Sequence, residues 1–567
     1  MNRTALLALL LTSLACGGAT KKIPKTPAPA ALSQETYVHY LRGKLAHFQG
    51  NFAEATIELS KAKRSDPGQA PISLALADAH YHAGDRRSAE TEMAWARAQW
   101  PKNAQVWMQS GDLHQRARDF AKAGIAYKRA IALGARDEAT YLAYGASLAE
   151  IAKPDDAKAV FRKLIARTSN SAEAHYQLAL LLHGEKRFVA TAKHAHEATI
   201  EAPYDLRAWA LLSNALHAQG LGNRADDALR RPFDRSEGTP SVGEQLVVHL
   251  LDLGAREQAL RCVAVLDRDD LPMDTRIGMG HWLLRAGDFT GALAVAARLE
   301  KRSGPGAAIT ELRVRALRAL HRNPEAAAEL KTIDVGDNAY PLMQSMLGQL
   351  YADTGDTAQA SAIVDSALQE HPDHPDLIMA AAAIAEAAGD VSKAREILTE
   401  AVANHPLAQR PLFALAELES RQGRINEAIA TITPLLQANP HSFAALNYVG
   451  YSLIADPSAK ERAEDLLLRA LELAPDSAFV LDSYGWFLLQ SNRPDAAEPL
   501  LERAVRLSPT EPELLAHLAE LRWIQERQEE AKRLLEQAHQ LALTNHTRAT
   551  VDAARKRLSQ AMPASQP

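Results

Sequence analysis

The side chains best suited to binding chemistry lie near the C-terminal end of the chain, in three blocks of related sequence. The blocks are LNYVGY at 446–451, LDSYGW at 481–486 and LAHLAE at 515–520. The residues expected to face a groove, beside the apolar stripe of each block, are Asn447, Tyr451, Asp482, Trp486 and His517. Aromatic rings next to amide and carboxylate groups suit peptide recognition, because a few such residues carry most of the binding energy at an interface.

A purely structural role for these residues is the open alternative. Tyr448, Tyr484 and Trp486 would then pack between neighbouring helices, while Asn447 and Asp482 would cap or bridge them. The sequence pattern is compatible with both interpretations, because aromatic residues at helical spacing fill cores as readily as they line grooves.

Motifs for catalysis or metal binding are absent from the sequence. His196-Glu197 lacks the second histidine of a zinc-protease motif, and neither GxSxG nor GxxxxGK occurs. His371 and His374 fall in HPDHPD, where turn residues are expected in any case. Cys262 is predicted to be a small buried apolar residue. We therefore predict no catalytic residue, no metal, no cofactor and no enzymatic activity.

The composition excludes several classes of protein. The chain has 567 residues, 47% hydrophobic and 23% charged, with a net charge of −5. A disordered chain would be poorer in apolar residues, and a nucleic-acid-binding protein would show a basic excess, so we expect no nucleic-acid partner. Aromatic residues make up only 5%, so the core must consist mainly of Ala, Leu and Val packed closely.

Small residues recur every 34 positions along most of the chain, with one slip of −1 and one of +1. The series is Ala55, Ala89, Ala123, Ala157, Thr191, Ala225, Ala259, Ala292, Ala326, Ala360, Ala394, Ala428, Ala463, Ala497 and Ala531. Twelve residues after many of these comes a proline, namely Pro67, Pro101, Pro203, Pro372, Pro406, Pro440, Pro475 and Pro509. Small residues let two helices approach closely, and proline ends a helix.

This pattern resembles the tetratricopeptide repeat, a pair of antiparallel helices. The resemblance covers about residues 36–545 and implies an all-α superhelical solenoid of about 15 helix-turn-helix repeats. It also implies that the first helix of each repeat lines a concave groove. The three C-terminal blocks resemble the closing repeats of a family of bacterial tetratricopeptide proteins, many of them exported. The third block departs from that family at Ala516 and at Ala519-Glu520.

The repeats are less regular in the middle of the chain. Pro232 falls where an alanine is expected, residues 230–243 resemble a loop, and closing prolines are missing up to Asn338. We therefore predict the following segments: an N-terminal array at 36–231, looser degenerate helical repeats at 232–338, a C-terminal array at 339–544, and a capping helix with a tail at 545–567.

The N-terminus has the features of an export signal. Arg3 precedes a short apolar stretch, and Ser13-Leu14-Ala15-Cys16 resembles a bacterial lipobox. The resemblance implies a signal peptide at 1–15, lipidation of Cys16 and a flexible tether over 16–35. Gly17, rather than an aspartate, follows the cysteine, which is compatible with an outer-membrane lipoprotein facing the periplasm. An ordinary signal peptide, or no signal at all, remains the alternative.

Together these features predict a lipid-anchored envelope scaffold that binds other envelope proteins or peptides through its grooves. We expect it to serve assembly of an envelope machine such as a pilus, a secretion system or a polysaccharide exporter. Two alternatives stay open. One is a module that binds glycan or peptidoglycan, with Tyr451 and Trp486 stacking on sugar rings. The other is a cytoplasmic adaptor, if the N-terminus is not a signal.

Overall fold

The computed structural model describes residues 33–168, 170–333 and 336–560. The predicted signal peptide, Cys16 and most of the predicted tether lie outside these residues. Within them the regular structure is helical, and no strand is formed. None of these helices is long and apolar enough to cross a membrane.

The helices fall into two units, residues 1–83 and 84–567. The first unit contains α1 (Gln34–Phe48), α2 (Phe52–Ser65) and α3 (Ala70–His82). The second unit contains α4 (Arg86–Gln99), α5 (Ala104–Arg116), α6 (Phe120–Ala132), α7 (Glu138–Glu150), α8 (Pro154–Arg167), α9 (Ala172–Gly184), α10 (Phe188–Glu201), α11 (Leu206–His217), α12 (Gly222–Arg235), α13 (Pro240–Asp252), α14 (Arg256–Leu266), α15 (Met273–Ala286), α16 (Phe289–Ser303), α17 (Ala307–Ala319), α18 (Asn323–Leu330), α19 (Tyr340–Asp353), α20 (Thr357–Glu370), α21 (Pro375–Ala387), α22 (Val391–Asn404), α23 (Gln409–Arg421), α24 (Ile425–Ala438), α25 (Phe443–Ser452), α26 (Lys460–Leu473), α27 (Ala478–Gln490), α28 (Pro494–Leu507), α29 (Pro512–Ile524), α30 (Gln528–Leu541) and α31 (Asn545–Gln560).

The number of described helices fits the predicted fold. In sequence order, 30 of the 31 described α-helices make up 15 successive pairs, and α31 follows the last one. The two helices pack together in 14 of these pairs, whereas α3 and α4 belong to different units. The prediction of an all-α architecture with about 15 helix-turn-helix repeats is therefore confirmed. The predicted segment boundaries remain predictions.

Apart from Ala89, whose helix α4 belongs to a different unit from α3, the small residues of the 34-residue series lie where the two helices of a repeat pack together. All 15 members of the series are at most 1% exposed. This holds even for Ala55 on α2 and Ala531 on α30, the first and last members of the series. Each of them lies on the second helix of its pair. A larger side chain at such a position would overpack a contact that has no spare volume.

Glycines on the first helices permit an equally close approach. A Cβ atom placed on Gly111 of α5 would lie 2.5 Å from Cε1 of Tyr127 on α6, and one on Gly485 of α27 would lie 2.8 Å from Leu501 on α28. These distances are too short for real carbon atoms, so a side chain there would force the helices apart. Glycine therefore provides the space into which a large residue of the second helix packs.

The expectation of a loop over residues 230–243 is wrong. α12 continues to Arg235 and α13 begins at Pro240, so only four residues form the turn. Pro232 lies inside α12 and is buried in the place of the usual alanine. The neighbouring Leu229 and Phe233 are fully buried, and their packing holds the helix together although proline removes one backbone hydrogen bond.

The middle of the chain is not loosely packed. One continuous apolar core extends from Ala179 on α9 to Ala316 on α17. Repeats without a closing proline thus bury their apolar faces against their neighbours as the regular repeats do. A solenoid needs this contact between neighbours, because a single repeat cannot bury its apolar face alone.

Repeats far apart in sequence also meet within the second unit. Arg503 on α28 donates two hydrogen bonds of 2.9 Å to the carboxylate of Asp252, 251 residues earlier at the end of α13. Arg506 donates a further one to the backbone oxygen of Asp252, also 2.9 Å long. The second unit is therefore stabilised by contacts beyond those of adjacent repeats.

Candidate functional site

The five predicted groove residues line a single cavity in the second unit. Its volume is about 840 Å³, and its walls are formed mainly by α23, α25, α27 and α29, the first helices of four successive repeats. The lining includes all the residues proposed from sequence, which are Asn447, Tyr451, Asp482, Trp486 and His517. The repeat explains this convergence, because neighbouring positions of successive first helices lie side by side, and Asn447, Asp482 and His517 follow one another at intervals of 35 residues.

A buried ion pair forms one wall of the cavity. Nδ1–H of His517 on α29 donates a 2.8 Å hydrogen bond to Oδ2 of Asp482 on α27. Both side chains are less than one-tenth exposed. The imidazole ring also stacks on the indole of Trp486, with 4.2 Å between ring centroids and 17° between planes. One face of Trp486 is thus covered by the protein itself.

The protonation of His517 depends on this arrangement. Burial alone would lower the pKa of His517, but the charge of Asp482 and its hydrogen bond to the ring outweigh burial and raise the pKa. Glu520 and Glu513 act in the same direction. The site therefore favours a charged imidazolium next to a carboxylate, an arrangement that fixes the positions of both side chains.

Three buried polar atoms of the cavity are left without a hydrogen bond, the hydroxyl of Tyr448 and two oxygens that can only accept. Oδ1 of Asn447 and Oδ1 of Asp482 are both buried from solvent and accept no hydrogen bond from the protein. A buried acceptor without a donor costs free energy, commonly about 1–3 kcal/mol. A ligand that brings N–H or O–H groups to these oxygens would remove that cost.

Exposed aromatic rings line the same cavity. Tyr451 is 41% exposed, Phe443 44% and Phe479 55%, although large apolar side chains are usually buried in a soluble protein. Phe413, whose ring contacts that of Tyr448 edge to face, adds to the apolar lining. The cavity thus offers apolar surface beside a small number of polar atoms, which is typical of a binding site.

Several of these lining residues were not predicted from the sequence. Phe443 is the first residue of α25 and lies four residues before Asn447, whereas Phe479 is the second residue of α27 and lies three residues before Asp482. An aromatic residue in the first turn of both helices was the available signal. Arg557 lines the cavity from α31, and its guanidinium pairs with Glu520 on α29. The departure from the family pattern at Glu520 therefore has a structural explanation, the attachment of α31.

The structural alternative describes some of the aromatic residues correctly. Tyr484 is fully buried and stacks on Phe487, and its hydroxyl donates to Glu464, so it packs between helices. Asp482 bridges two helices through His517 and also borders the cavity. Cys262 is buried in the core, where burial raises the pKa of its thiol, as expected for an unreactive residue.

Among the residues that the structure describes, one group of side chains could hold a metal ion. It consists of His47, Asp78 and His82 in the first unit. His371, His374 and the side chains of the cavity do not belong to it.

Comparisons with known proteins agree with this architecture. Two family models, both described as tetratricopeptide repeat, match the chain: one at residues 351–410, 385–449 and 488–542, the other at residues 74–138 and 277–341. Together they cover about half of the chain. The search of curated proteins found no match.

Several solved structures are similar at low identity. The Naa15/Naa10 complex bound to HypK-THB contains a chain that is 14% identical, with 93% of this chain and 98% of that chain covered and a TM-score of 0.41. The structure of pilF of Pseudomonas aeruginosa is 19% identical, with 36% of this chain and 93% of that chain covered and a TM-score of 0.30. YrrB, described as a TPR protein with an unusual peptide-binding site, is 15% identical, with 31% of this chain and 91% of that chain covered and a TM-score of 0.28.

Such distant similarity says nothing about what this chain binds. The family matches, the 34-residue recurrence and the succession of helix pairs carry the assignment instead. Tetratricopeptide-repeat proteins bind peptides or other proteins and are generally not enzymes. The chain is a member of the tetratricopeptide-repeat family, an all-α protein-interaction scaffold.

Proposed function

We propose that this protein is a lipid-anchored scaffold of a bacterial cell envelope that binds a segment of a partner protein in the cavity between α23 and α29. The observation that carries the binding proposal is the convergence of exposed aromatic rings and two unpaired buried acceptors, Asn447 Oδ1 and Asp482 Oδ1, in one cavity. Burying the rings supplies affinity, and pairing the acceptors supplies selectivity.

The cavity favours an extended or helical peptide that carries both an apolar side chain and N–H donors. Apolar groups of the peptide would cover Tyr451 and Phe479, whereas backbone or side-chain N–H groups would reach Asn447 and Asp482. The volume of about 840 Å³ accommodates a few residues rather than a whole domain. A short segment of a larger partner therefore fits the site best.

The cellular location is part of the same proposal and rests on the sequence of the N-terminus. The lipobox-like stretch before Cys16 and the following Gly17 support an outer-membrane lipoprotein that faces the periplasm. Two or more acyl chains on one cysteine give stable anchoring. Assembly of an envelope machine is the role we propose for such an anchored scaffold.

Site-specific crosslinking tests the binding proposal. A photoreactive amino acid replaces Tyr451 in one variant and Tyr204, an 87% exposed residue outside the cavity, in the control. After irradiation of intact cells, we expect the position 451 variant to capture the same envelope proteins repeatedly, and Asn447→Ala in that variant to reduce the yield. Equal capture from both positions would contradict the proposal.

The anchor is tested separately. Metabolic labelling with an acyl chain should mark the wild-type protein and not Cys16→Ser, which should move from the membrane fraction to the soluble fraction. An unlabelled, soluble wild-type protein in the cytoplasm would instead favour the adaptor alternative.

Glycan binding is the second candidate function, favoured by the exposed ring of Tyr451. Its proposed partner Trp486 has one face covered by His517, which leaves less surface for stacking on a sugar. Co-sedimentation with purified peptidoglycan separates the two functions, because a peptide-binding scaffold should stay in the supernatant.

A further inference from the structure

Two histidines and an aspartate converge in the first unit, outside the cavity. His47 lies in the last turn of α1, whereas Asp78 and His82 are four residues apart on one face of α3. One ligand atom from each residue lies within 4.8 Å of those of the other two. Imidazole nitrogen and carboxylate oxygen are common ligands of divalent transition metals.

The distances from the two imidazoles to the carboxylate are close to those around a shared ion. Nε2 of His47 lies 3.1 Å from Oδ2 of Asp78, and Nε2 of His82 lies 3.7 Å from Oδ1 of the same carboxylate. Zinc bonds of about 2.0–2.1 Å in a tetrahedral site place neighbouring ligand atoms roughly 3.3 Å apart. The observed distances lie on either side of that value.

The orientation of His47 separates a metal site from a simple ion pair. Its Nε2 is buried from solvent and forms no hydrogen bond, although Oδ2 of Asp78 is only 3.1 Å away. The two atoms are therefore close without the geometry of a hydrogen bond. A third atom bound by both the nitrogen and the oxygen would account for such a contact.

An aromatic residue holds both imidazoles in place. The ring of Phe52, the first residue of α2, stacks on His82 with 5.2 Å between centroids and 23° between planes. The same ring meets His47 edge to face, also at 5.2 Å. Fixed ring orientations lower the cost of assembling a metal site, because fewer side-chain rotations are lost on binding.

We propose that His47, Asp78 and His82 bind a divalent transition-metal ion of the zinc type. Three protein ligands leave a fourth position for water or another donor. Hard ions such as Mg²⁺ prefer oxygen ligands, so this site selects against them. The bound ion joins the end of α1 to α3 and stabilises the first unit against unfolding.

Titration of the purified full-length protein with Zn²⁺ alone tests the proposal, read out by calorimetry and by the visible spectrum of Co²⁺ in the same site. We expect one tight equivalent, a tetrahedral Co²⁺ spectrum and no competition by Mg²⁺. His47→Ala and His82→Ala should each weaken binding at least tenfold. His80→Ala, on α3 but outside the cluster, should leave binding unchanged.

Asp78→Asn is the second variant, because it keeps the volume of the side chain if His47→Ala disturbs the fold. It should weaken Zn²⁺ binding while leaving the circular dichroism spectrum as in the wild type. The proposal is overturned if the wild type takes up no Zn²⁺, or if the cluster variants bind it as tightly as His80→Ala does.

Discussion

Asp482 and His517 lie 35 residues apart in sequence and are joined by a 2.8 Å hydrogen bond at the wall of the cavity. The two residues occupy successive first helices, α27 and α29, one repeat apart. Their bond therefore sets the spacing of these helices and also the position of Trp486, on which His517 stacks. One contact thus serves both the packing of the repeats and the shape of the cavity.

The stability supplied by this pair should depend on pH. Because the pKa of His517 is raised in the folded protein, its contribution is complete below the pKa of an unfolded histidine, about 6.5, and is lost as pH rises through the folded-state value. Asp482→Asn should therefore lower the free energy of unfolding most in mildly acidic buffer, with a smaller difference at alkaline pH. Urea unfolding at a series of pH values measures this. The exposed Asp373→Asn is the control, and an equal difference at all pH values would contradict the prediction.

Enlarging a residue of the 34-residue series should destabilise the stack. Ala497 on α28 is fully buried, so Ala497→Leu should lower the free energy of unfolding by about 1–3 kcal/mol through overpacking. The matched control is Ala383→Leu, an exposed position on α21, which should change stability by less than about 0.5 kcal/mol. Urea unfolding followed by circular dichroism compares the two. Equal effects would show that the assigned repeat register is wrong.

Two glycine substitutions should change the stability of the protein in opposite directions. Gly111→Ala places a methyl group 2.5 Å from Tyr127, which should cost about 1–3 kcal/mol. Gly184→Ala, at the end of α9, meets no atom within 4 Å and should stabilise the protein by up to about 1 kcal/mol. Thermal unfolding of both variants beside the wild type gives the sign directly. A stabilising Gly111→Ala would mean that α5 and α6 are less closely packed than described.

The link between Asp252 and Arg503 should be stronger than an ordinary surface pair. A double-mutant cycle with Asp252→Ala and Arg503→Ala should give a coupling free energy of about 1 kcal/mol or more, since the pair is bidentate and partly buried. The control is Asp376 with Arg410, a pair with one largely exposed partner that joins adjacent repeats. It should give roughly 0–1 kcal/mol. The prediction fails if the coupling free energy of Asp252 with Arg503 is not larger than that of Asp376 with Arg410.

The sequence was sufficient to predict the features that recur with the repeat. Ala89 and Ala428 were recognised as buried contacts because the same residue type returns every 34 positions. The five groove residues were predicted from their positions beside the apolar stripe of three related blocks, and the structure places them around one cavity. That they bind a partner remains a prediction. Repetition thus gives a single sequence some of the information that is usually obtained by comparing many sequences.

Features that occur once were not predictable in this way. The cluster of His47, Asp78 and His82 depends on the angle between α1 and α3, which spacing along the chain does not give. The contact of Asp252 with Arg503 depends on the summed rotation of the seven repeats between them. A small error in the predicted rotation of each repeat adds up to a large error in the position of the last one. The loop expected around Pro232 is helical because tertiary packing outweighs the tendency of proline to end a helix.

The contact of Asp252 with Arg503 also changes how the array would respond to a pulling force. A stack held only by adjacent repeats extends like a spring, because each interface yields a little. The bond between Asp252 on α13 and Arg503 on α28 links two points 251 residues apart in the chain. A force that pulls these two points apart therefore acts first on that bond and not on the interfaces between the repeats that lie between them. The second unit under tension would therefore stay short until this bond breaks and then lengthen abruptly.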